Sequence, residues 1–363
     1  MGNEDLCQFE ALVSYPYSEA MTKALLLNSP TAKFERGEIQ RRELRADDVR
    51  VDIQFSGICH SDIHQGREEW FESIFPMVPG HEMVGVVTEV GSDVTKFKVG
   101  DRAGVGVFVD SCGECEFCST GYDQYCSTGR IEAYNATDYE GNVTYGGYST
   151  EIVAKEFFTH RVPENLEISA TAPLLCAGIT VYSPLKNWQA GPGKKVAVIG
   201  LGGLGHMAVK FAHAMGADVT VIGMSESKKA DAIRMGAKDY VIGTEENLKD
   251  LRLNFDLIIN ASSASLDIDL VLSTLTVDGA LVYVGLPPED QSFSPFSVAD
   301  KRRSIAGSNT GSMAETQEML DFCGEHGITS DVEVITADEV DQAWDRVVAS
   351  DVRYRFVIDT SSI

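Results

Sequence analysis

The sequence predicts an α/β chain in two parts, a β-rich, barrel-like domain and a doubly wound parallel sheet with crossover helices. Three observations carry this reading. The 363 residues exceed one typical core and suit two domains, or one domain inserted in another. Up to about Cys176, short β-rich runs follow one another, punctuated by Gly and Asp. From about Ala177 onward, buried strands alternate with helical segments, the pattern of a parallel sheet.

Taken in order, residues 1–20 are expected to be an extension, because the first convincing strand, "TKALLL", follows Met21. Residues 21–176 hold the runs "DVRVDIQF", "HEMVGVVTEV", "DRAGVGVFV" and "GGYSTEIVA", each short enough for a strand of an antiparallel domain. A cysteine-rich lobe at 110–128 interrupts them. Residues 177–314 read strand, helix, strand, helix: "KKVAVIG", "GHMAVKFAHAMG", "DVTVIG", "ESKKADAIRMG", then the strands "DYVI", "FDLIINAS" and "ALVYVG". Residues 315–363 supply a helix, short strands and a further helix, and are expected to return to the first domain.

Composition narrows the function classes. Net charge is −25, from 55 acidic and 30 basic residues, so nucleic acid and anionic membranes are poor partners. The acidity serves solubility or, on a sharper reading, adaptation to high salt. The start "MGNEDLCQFE" lacks the basic and apolar regions of a secretion signal, and Leu6 breaks the myristoylation pattern. The most apolar stretch, Val196 to Met224, is interrupted by His206, Lys210, His213 and Asp218. A soluble, cytoplasmic protein is expected, a setting in which clustered cysteines are more often metal ligands than disulfides.

"VAVIGLGGLGHMAVKFA" places Gly200, Gly202 and Gly205 between a strand and a helix. The first glycine allows the tight turn, the second lets backbone approach a pyrophosphate, and the third lets helix pack on strand. The helix N-terminus then offers amides and a positive dipole end to the phosphates. Gly203 and Leu204 complete the turn, and Thr180 joins the expected cofactor-binding set. An NAD site wants a carboxylate at the end of the second strand. "VTVIGMSESKK" offers Gly223, Met224 and Ser225 there instead, with Lys228 and Lys229 beyond, a hydroxyl and two ammonium groups that suit the 2′-phosphate of NADP. Glu226 is the dissenting residue, set a few positions late and expected to face solvent.

Cys112, Cys115, Cys118 and Cys126 lie within fifteen residues. Four thiolates on one loop close a tetrahedral shell around zinc, leave no open position, and so hold structure rather than do chemistry. Disulfides or free thiols are the competing reading. A dispersed set has a different character: Cys59 in "GICHSDIHQG", His81 and Glu82 in "VPGHEMVG", and Cys176 in "LLCAGITVYSPL". Singly, each reads as a buried thiol or an ordinary core residue. Together they give two cysteines and a histidine, a ligand composition that keeps a fourth position open for water or substrate.

These motifs, with "SNTGSMAETQEML" and "DVRYRFVID", resemble in residues and order the zinc-dependent medium-chain alcohol dehydrogenases, in the cinnamyl alcohol dehydrogenase-like, NADP-dependent branch. The resemblance covers about residues 22–363. It implies a GroES-like catalytic domain with an inserted Rossmann domain, two zinc ions per chain, NADP(H), and a homodimer joined through the Rossmann sheets. It implies that Cys59, His81 and Cys176 hold the catalytic zinc, that Glu82 approaches it, and that Asp62 orients the ligand imidazole. Ser61 and His64 correspond to a proton relay and His60 to a cofactor-phosphate contact, although His60 and His64 also read as loop residues. The implied reaction is hydride transfer between NADP(H) and an alcohol/aldehyde pair, with aldehyde reduction the physiological direction. Plant phenylpropanoid members carry Trp and Phe where this chain has Glu132 and Asn309, which points to broad aldehyde specificity rather than lignin precursors. The alternatives are a reductase of an activated C=C or C=N bond on the same scaffold, and a non-catalytic NADPH-binding protein.

Overall fold

In a computed structural model, residues 17–363 are described. Two sheets organise them. The second in sequence has six parallel strands in the spatial order Asp239–Ile242, Asp218–Gly223, Lys195–Ile199, Phe255–Asn260, Leu275–Tyr283 and Ser304–Gly307. This is the doubly wound order, in which the chain reverses direction beside its first strand and leaves a crevice at the strands' carboxyl ends. Such strands are covered on both faces and so read as continuous apolar runs. Val196, Ala197 and Val198 are accordingly inaccessible to solvent. The helix Gly205–Ala214 follows the first of these strands and buries Met207, Ala208, Val209, Phe211 and Ala212.

The other large sheet is mostly antiparallel. Asp48–Gly57 pairs with Met83–Val90, Glu151–Lys155 and Arg355–Asp359, and Arg102–Val105 with Thr159–Arg161 extends the far side. The C-terminal strands Val332–Ile335 and Arg355–Asp359 pair parallel and join this sheet, so the end of the chain lies against its beginning. One apolar cluster includes Val84 and Val357 of this sheet together with Val198, Phe211 and Val282 of the parallel side. The two sheets therefore share a core that runs through Leu174, Leu175, Ile179 and Leu185.

The first strand, Tyr17–Leu26, starts inside the segment expected to be an extension. Tyr17 pairs with Arg42 of the strand Glu35–Arg42 across a register shift. Backbone pairing carries a strand past its apolar run, because ladder hydrogen bonds do not need apolar side chains. The rest of the expected extension lies outside the described residues. Leu275–Tyr283 likewise begins five residues before the apolar stretch that signalled it. Among the described residues no single helix is long and apolar enough to cross a membrane.

Candidate active site

Strand Asp48–Gly57 ends at the sheet rim and turns into the short helix His60–Gly66. Cys59 caps that helix, and Asp62, three residues on, accepts from the Cys59 amide at 2.9 Å. An acid in the first turn is favoured there by the exposed amides and the dipole. The capping bond also fixes Asp62 facing inward, where it is fully buried. Its carboxylate accepts from Gly80 N and from Tyr148 Oη, each at 3.3 Å, and stands 2.9 Å from His81 Nδ1. Asp62 thus sets the orientation of the His81 ring and leaves Nε2 for another partner.

His81 and Glu82 precede the strand Met83–Val90, and Cys176 caps the helix Ala177–Asn187 at the junction of the two sheets. Each of Cys59, His81, Glu82 and Cys176 offers a ligand atom within 4.8 Å of the others, with the two sulfurs 3.9 Å apart. Glu82 is fully buried; Oε1 accepts from Arg355 at 2.5 Å, while Oε2 has no hydrogen-bond partner among the described residues. A side chain at Gly57 would overlap that carboxylate, so glycine there makes the room. Burial pushes the Glu82 carboxyl up to about 7 against the pull of Arg355. A hydrogen bond from Cys176, then the charge of His81, holds the Cys59 thiol well below its ordinary range, while the same bond and burial push Cys176 up. Burial opposes a charged His81, but Asp62 and Cys59 outweigh it and raise its pKa. Two thiols, an imidazole and an orphaned buried carboxylate oxygen fit a zinc-sized cation with a place left for an exchangeable ligand.

Ser61 Oγ lies 3.5 Å from Cys59 Sγ at the rim of this set. Three residues along the helix, on the same face, His64 bonds through Nδ1 to Glu69 at 2.5 Å. The His64 ring is stacked between His60 and Trp70, with centroids 4.5 Å away on each side. His60 is held below the ordinary imidazole range by burial and by His64. Tyr134 lies nearly parallel to the His81 ring and donates to the Ser61 carbonyl at 3.4 Å. Glu132, in the same segment, pairs with Arg130 at 2.8 Å, and Asn309 is exposed.

The second cysteine set forms a separate lobe. The Cys112–Cys118, Cys115–Cys118 and Cys112–Cys126 sulfurs stand 3.9, 3.5 and 3.4 Å apart. Four sulfurs about 2.3 Å from one ion would be separated by about 3.8 Å, so the lobe fits a closed tetrahedral shell. Main-chain amides of Cys118 and Ser127 point at Cys115 and lower its thiol to about 5, favouring the thiolate that a metal needs.

At the parallel sheet, Gly200 has φ of 86°, a left-handed conformation that glycine adopts freely. A Cβ at Gly205 would overlap the Gly200 carbonyl oxygen, so helix and turn pack as closely as the glycine pattern requires, while a Cβ at Gly202 would meet open space. Gly203 lies against the Arg355 side chain, and Leu204 caps the helix. Thr180 is buried on the helix that Cys176 caps, its amide donating to the Cys176 carbonyl. Beyond the second strand, Met224 is 81% exposed, Ser225 Oγ lies 2.9 Å from Ser227 Oγ, and Lys228 donates to the Leu201 carbonyl at 2.8 Å. Lys229 is 3.4 Å from Glu226, so part of its charge is already answered. Sequence reasoning missed Arg355, whose guanidinium joins Glu82 and the Ile58 carbonyl to the glycine turn, because its partners lie 273 and 297 residues away.

Residues 45–164 match the family described as "Alcohol dehydrogenase GroES-like domain", and residues 203–325 match "Zinc-binding dehydrogenase". The chain is 55% identical over 347 residues to a Bacillus subtilis protein named "Probable formaldehyde dehydrogenase AdhA", covering 95% of this chain and 99% of that one. It is 54% identical over 342 residues to NADP-dependent alcohol dehydrogenase C 1 of Mycolicibacterium smegmatis, covering 94% and 98%. A solved cinnamyl alcohol dehydrogenase of Sorghum bicolor superposes with a TM-score of 0.91 at 43% identity, over 94% of this chain and 98% of that one. With both halves matched and the similarity running nearly end to end, the chain belongs to the zinc-dependent medium-chain alcohol dehydrogenase family, in its cinnamyl alcohol dehydrogenase-like branch.

Proposed function

We propose that this alcohol dehydrogenase works as a broad, NADPH-dependent aldehyde reductase with a catalytic and a structural zinc. The observation that carries the proposal is the convergence of Cys59, His81, Glu82 and Cys176 on one point at the junction of the two sheets. Cys59, His81 and Cys176 would hold the catalytic ion, and the Cys112, Cys115, Cys118 and Cys126 lobe the structural one. When bound, zinc would polarise the substrate carbonyl and NADPH would supply the hydride.

The chain's own residues do the rest. Asp62 keeps His81 in one tautomer and orientation through the 2.9 Å contact at Nδ1. Ser61, at the rim of the thiol pair, passes a proton to the nascent alcohol and recovers it from His64, which Glu69 and the stacked rings of His60 and Trp70 hold in place. Arg355 restrains Glu82 beneath the glycine turn. Gly200, Gly202, Gly203, Leu204 and Gly205 would receive the pyrophosphate, with Thr180 and His60 beside it, and Ser225, Lys228 and Lys229 would receive the 2′-phosphate.

The name of the M. smegmatis relative supports NADP(H). Glu132 and Asn309 in place of the aromatic residues of plant members support a wide range of aldehydes. Reduction of a C=C or C=N bond is not favoured by the activities for which the relatives are named. Edge strand Ser304–Gly307 closes one side of the parallel sheet, and Leu286, Phe293 and Phe296 nearby in sequence are exposed, which supports a homodimer joined along that edge. The seven described cysteines are free thiols, in keeping with a reducing, cytoplasmic setting. A screen of aliphatic and aromatic aldehydes with NADPH and with NADH tests the proposal. Turnover of both classes with NADPH is expected; no turnover of any aldehyde, or a preference for NADH, overturns it.

A further inference from the structure

The loop after the second parallel strand carries a cation from elsewhere in the chain. Arg353, in the segment just before strand Arg355–Asp359, reaches across from the catalytic sheet. Its guanidinium donates to the Ser227 carbonyl at 3.5 Å and lies 5.9 Å from the Tyr354 ring centroid. Lys228 Nζ sits 5.5 Å from the same centroid. Tyr354 is buried, stacks on His206 with centroids 5.1 Å apart, and donates to Asp231 at 2.8 Å. The ring is thus a fixed platform that brings Arg353 and Lys228 together beside the Ser225 and Ser227 hydroxyls.

Two like charges so placed repel each other, and the chain as a whole carries −25. Among the described residues Arg353 has one ionic partner in reach, Asp231 at 3.2 Å, and its side chain keeps 47% of its exposure. Asp231 is shared with Arg234 at 3.4 Å, so it answers Arg353 only in part. A doubly charged phosphate between the hydroxyls and the two cations would relieve that repulsion, and a guanidinium can meet phosphate oxygens with two parallel donors.

We propose that Arg353 is a cofactor-specificity residue that binds the 2′-phosphate of NADP(H) alongside Lys228, facing the Ser225 hydroxyl. The inference rests on the NADP reading above and extends it. Discrimination between the two nicotinamide cofactors is shared between both sheets, so the C-terminal segment reads the adenosine end while Arg355, two residues on, sits under the glycine turn.

Calorimetric binding of 2′,5′-ADP and 5′-AMP to the purified zinc-loaded protein tests it without relying on turnover. Arg353→Ala should weaken 2′,5′-ADP on the order of tenfold, the scale of one charge-assisted contact, and leave 5′-AMP unchanged. Arg353→Lys should recover part of the loss. Asp231→Asn, which removes the competing carboxylate, should leave 2′,5′-ADP binding equal or tighter. An equal loss for both nucleotides, no loss for either, or a loss in Asp231→Asn matching that in Arg353→Ala would make Arg353 a structural clip and overturn the proposal. If the unaltered protein binds 2′,5′-ADP no better than 5′-AMP, the NADP reading itself fails, and that result is visible before any variant is made.

Discussion

Replacing Asp62 by Asn is nearly isosteric and removes one charge from the centre of the site. The carboxylate receives four contacts, two on each oxygen: His81 Nδ1 and Gly80 N on Oδ1, Cys59 N and Tyr148 Oη on Oδ2. An amide keeps only one accepting oxygen. If its NH2 turns to the Oδ2 side, it faces the Cys59 amide, donor against donor, and costs about 1–3 kcal/mol in a site with no access to water. If it turns to the Oδ1 side, the Cys59 cap survives and His81 loses the bond that fixes its ring. Either way the ligand set is less well ordered, and losing such a supporting contact typically weakens metal affinity about 10–100-fold, or about 1.4–2.7 kcal/mol. Chelator competition followed by a colorimetric zinc indicator reads this directly. The variant should release one zinc per chain at roughly 10–100-fold lower chelator strength, while the second, in the cysteine lobe, leaves as in the parent. Release of both ions at the parental chelator concentration would refute the role assigned to Asp62.

Cys115→Ser should lose one equivalent of zinc and lower the melting temperature while the folded fraction still turns over; unchanged zinc content would show that the lobe holds no ion. Met224→Asp should move preference toward NADH, since a carboxylate repels a 2′-phosphate and can accept from free ribose hydroxyls; kinetic efficiencies with both cofactors measure it, and an unmoved ratio counts against the loop assignment. His64→Gln should slow alcohol oxidation about tenfold or more, with zinc content and NADPH affinity near normal and partial rescue by added imidazole; a parental rate of alcohol oxidation would remove His64 from the relay. His160 is fully buried with neither ring nitrogen bonded among the described residues, and burial, with Lys96 nearby, holds its pKa down to about 3. Its folded pKa is depressed, so the neutral ring contributes its full share of stability above the unfolded value of about 6.5, and that share is lost progressively from there toward pH 3. At pH 5 the loss is about 2 kcal/mol, so His160→Met should flatten the fall in denaturant stability between pH 7 and 5 by about that amount; identical slopes would contradict it.

The parallel sheet was legible because its strands are covered on both faces and its glycines stand where backbone crowding demands them. Gly205 against the Gly200 carbonyl is such a case, a local constraint written in local sequence. The clustering of Cys112, Cys115, Cys118 and Cys126 was legible for the same reason, since all four fall on one loop. Strand Glu35–Arg42 was not, because "ERGEIQRR" carries a single large apolar side chain, Ile39, too few to show a strand period, and the strand is fixed by pairing with Tyr17–Leu26. Helix His60–Gly66 is too short for a hydrophobic period, and its cap is a cysteine rather than a Ser, Thr, Asp or Asn. The environment of Glu82 depends on Arg355 and that of Asp62 on Tyr148, contacts that only the folded sheets create. The aromatic clamp on His64 also went unread, since Trp70 follows the helix in an exposed loop that carries no pattern.

The most direct test is zinc stoichiometry measured beside turnover in the parent and in Cys59→Ala. The account predicts two zinc ions per chain in the freshly purified parent, and one, with no aldehyde reduction and an intact fold, in the variant. One zinc or none in the parent, or undiminished reduction by Cys59→Ala, would contradict it.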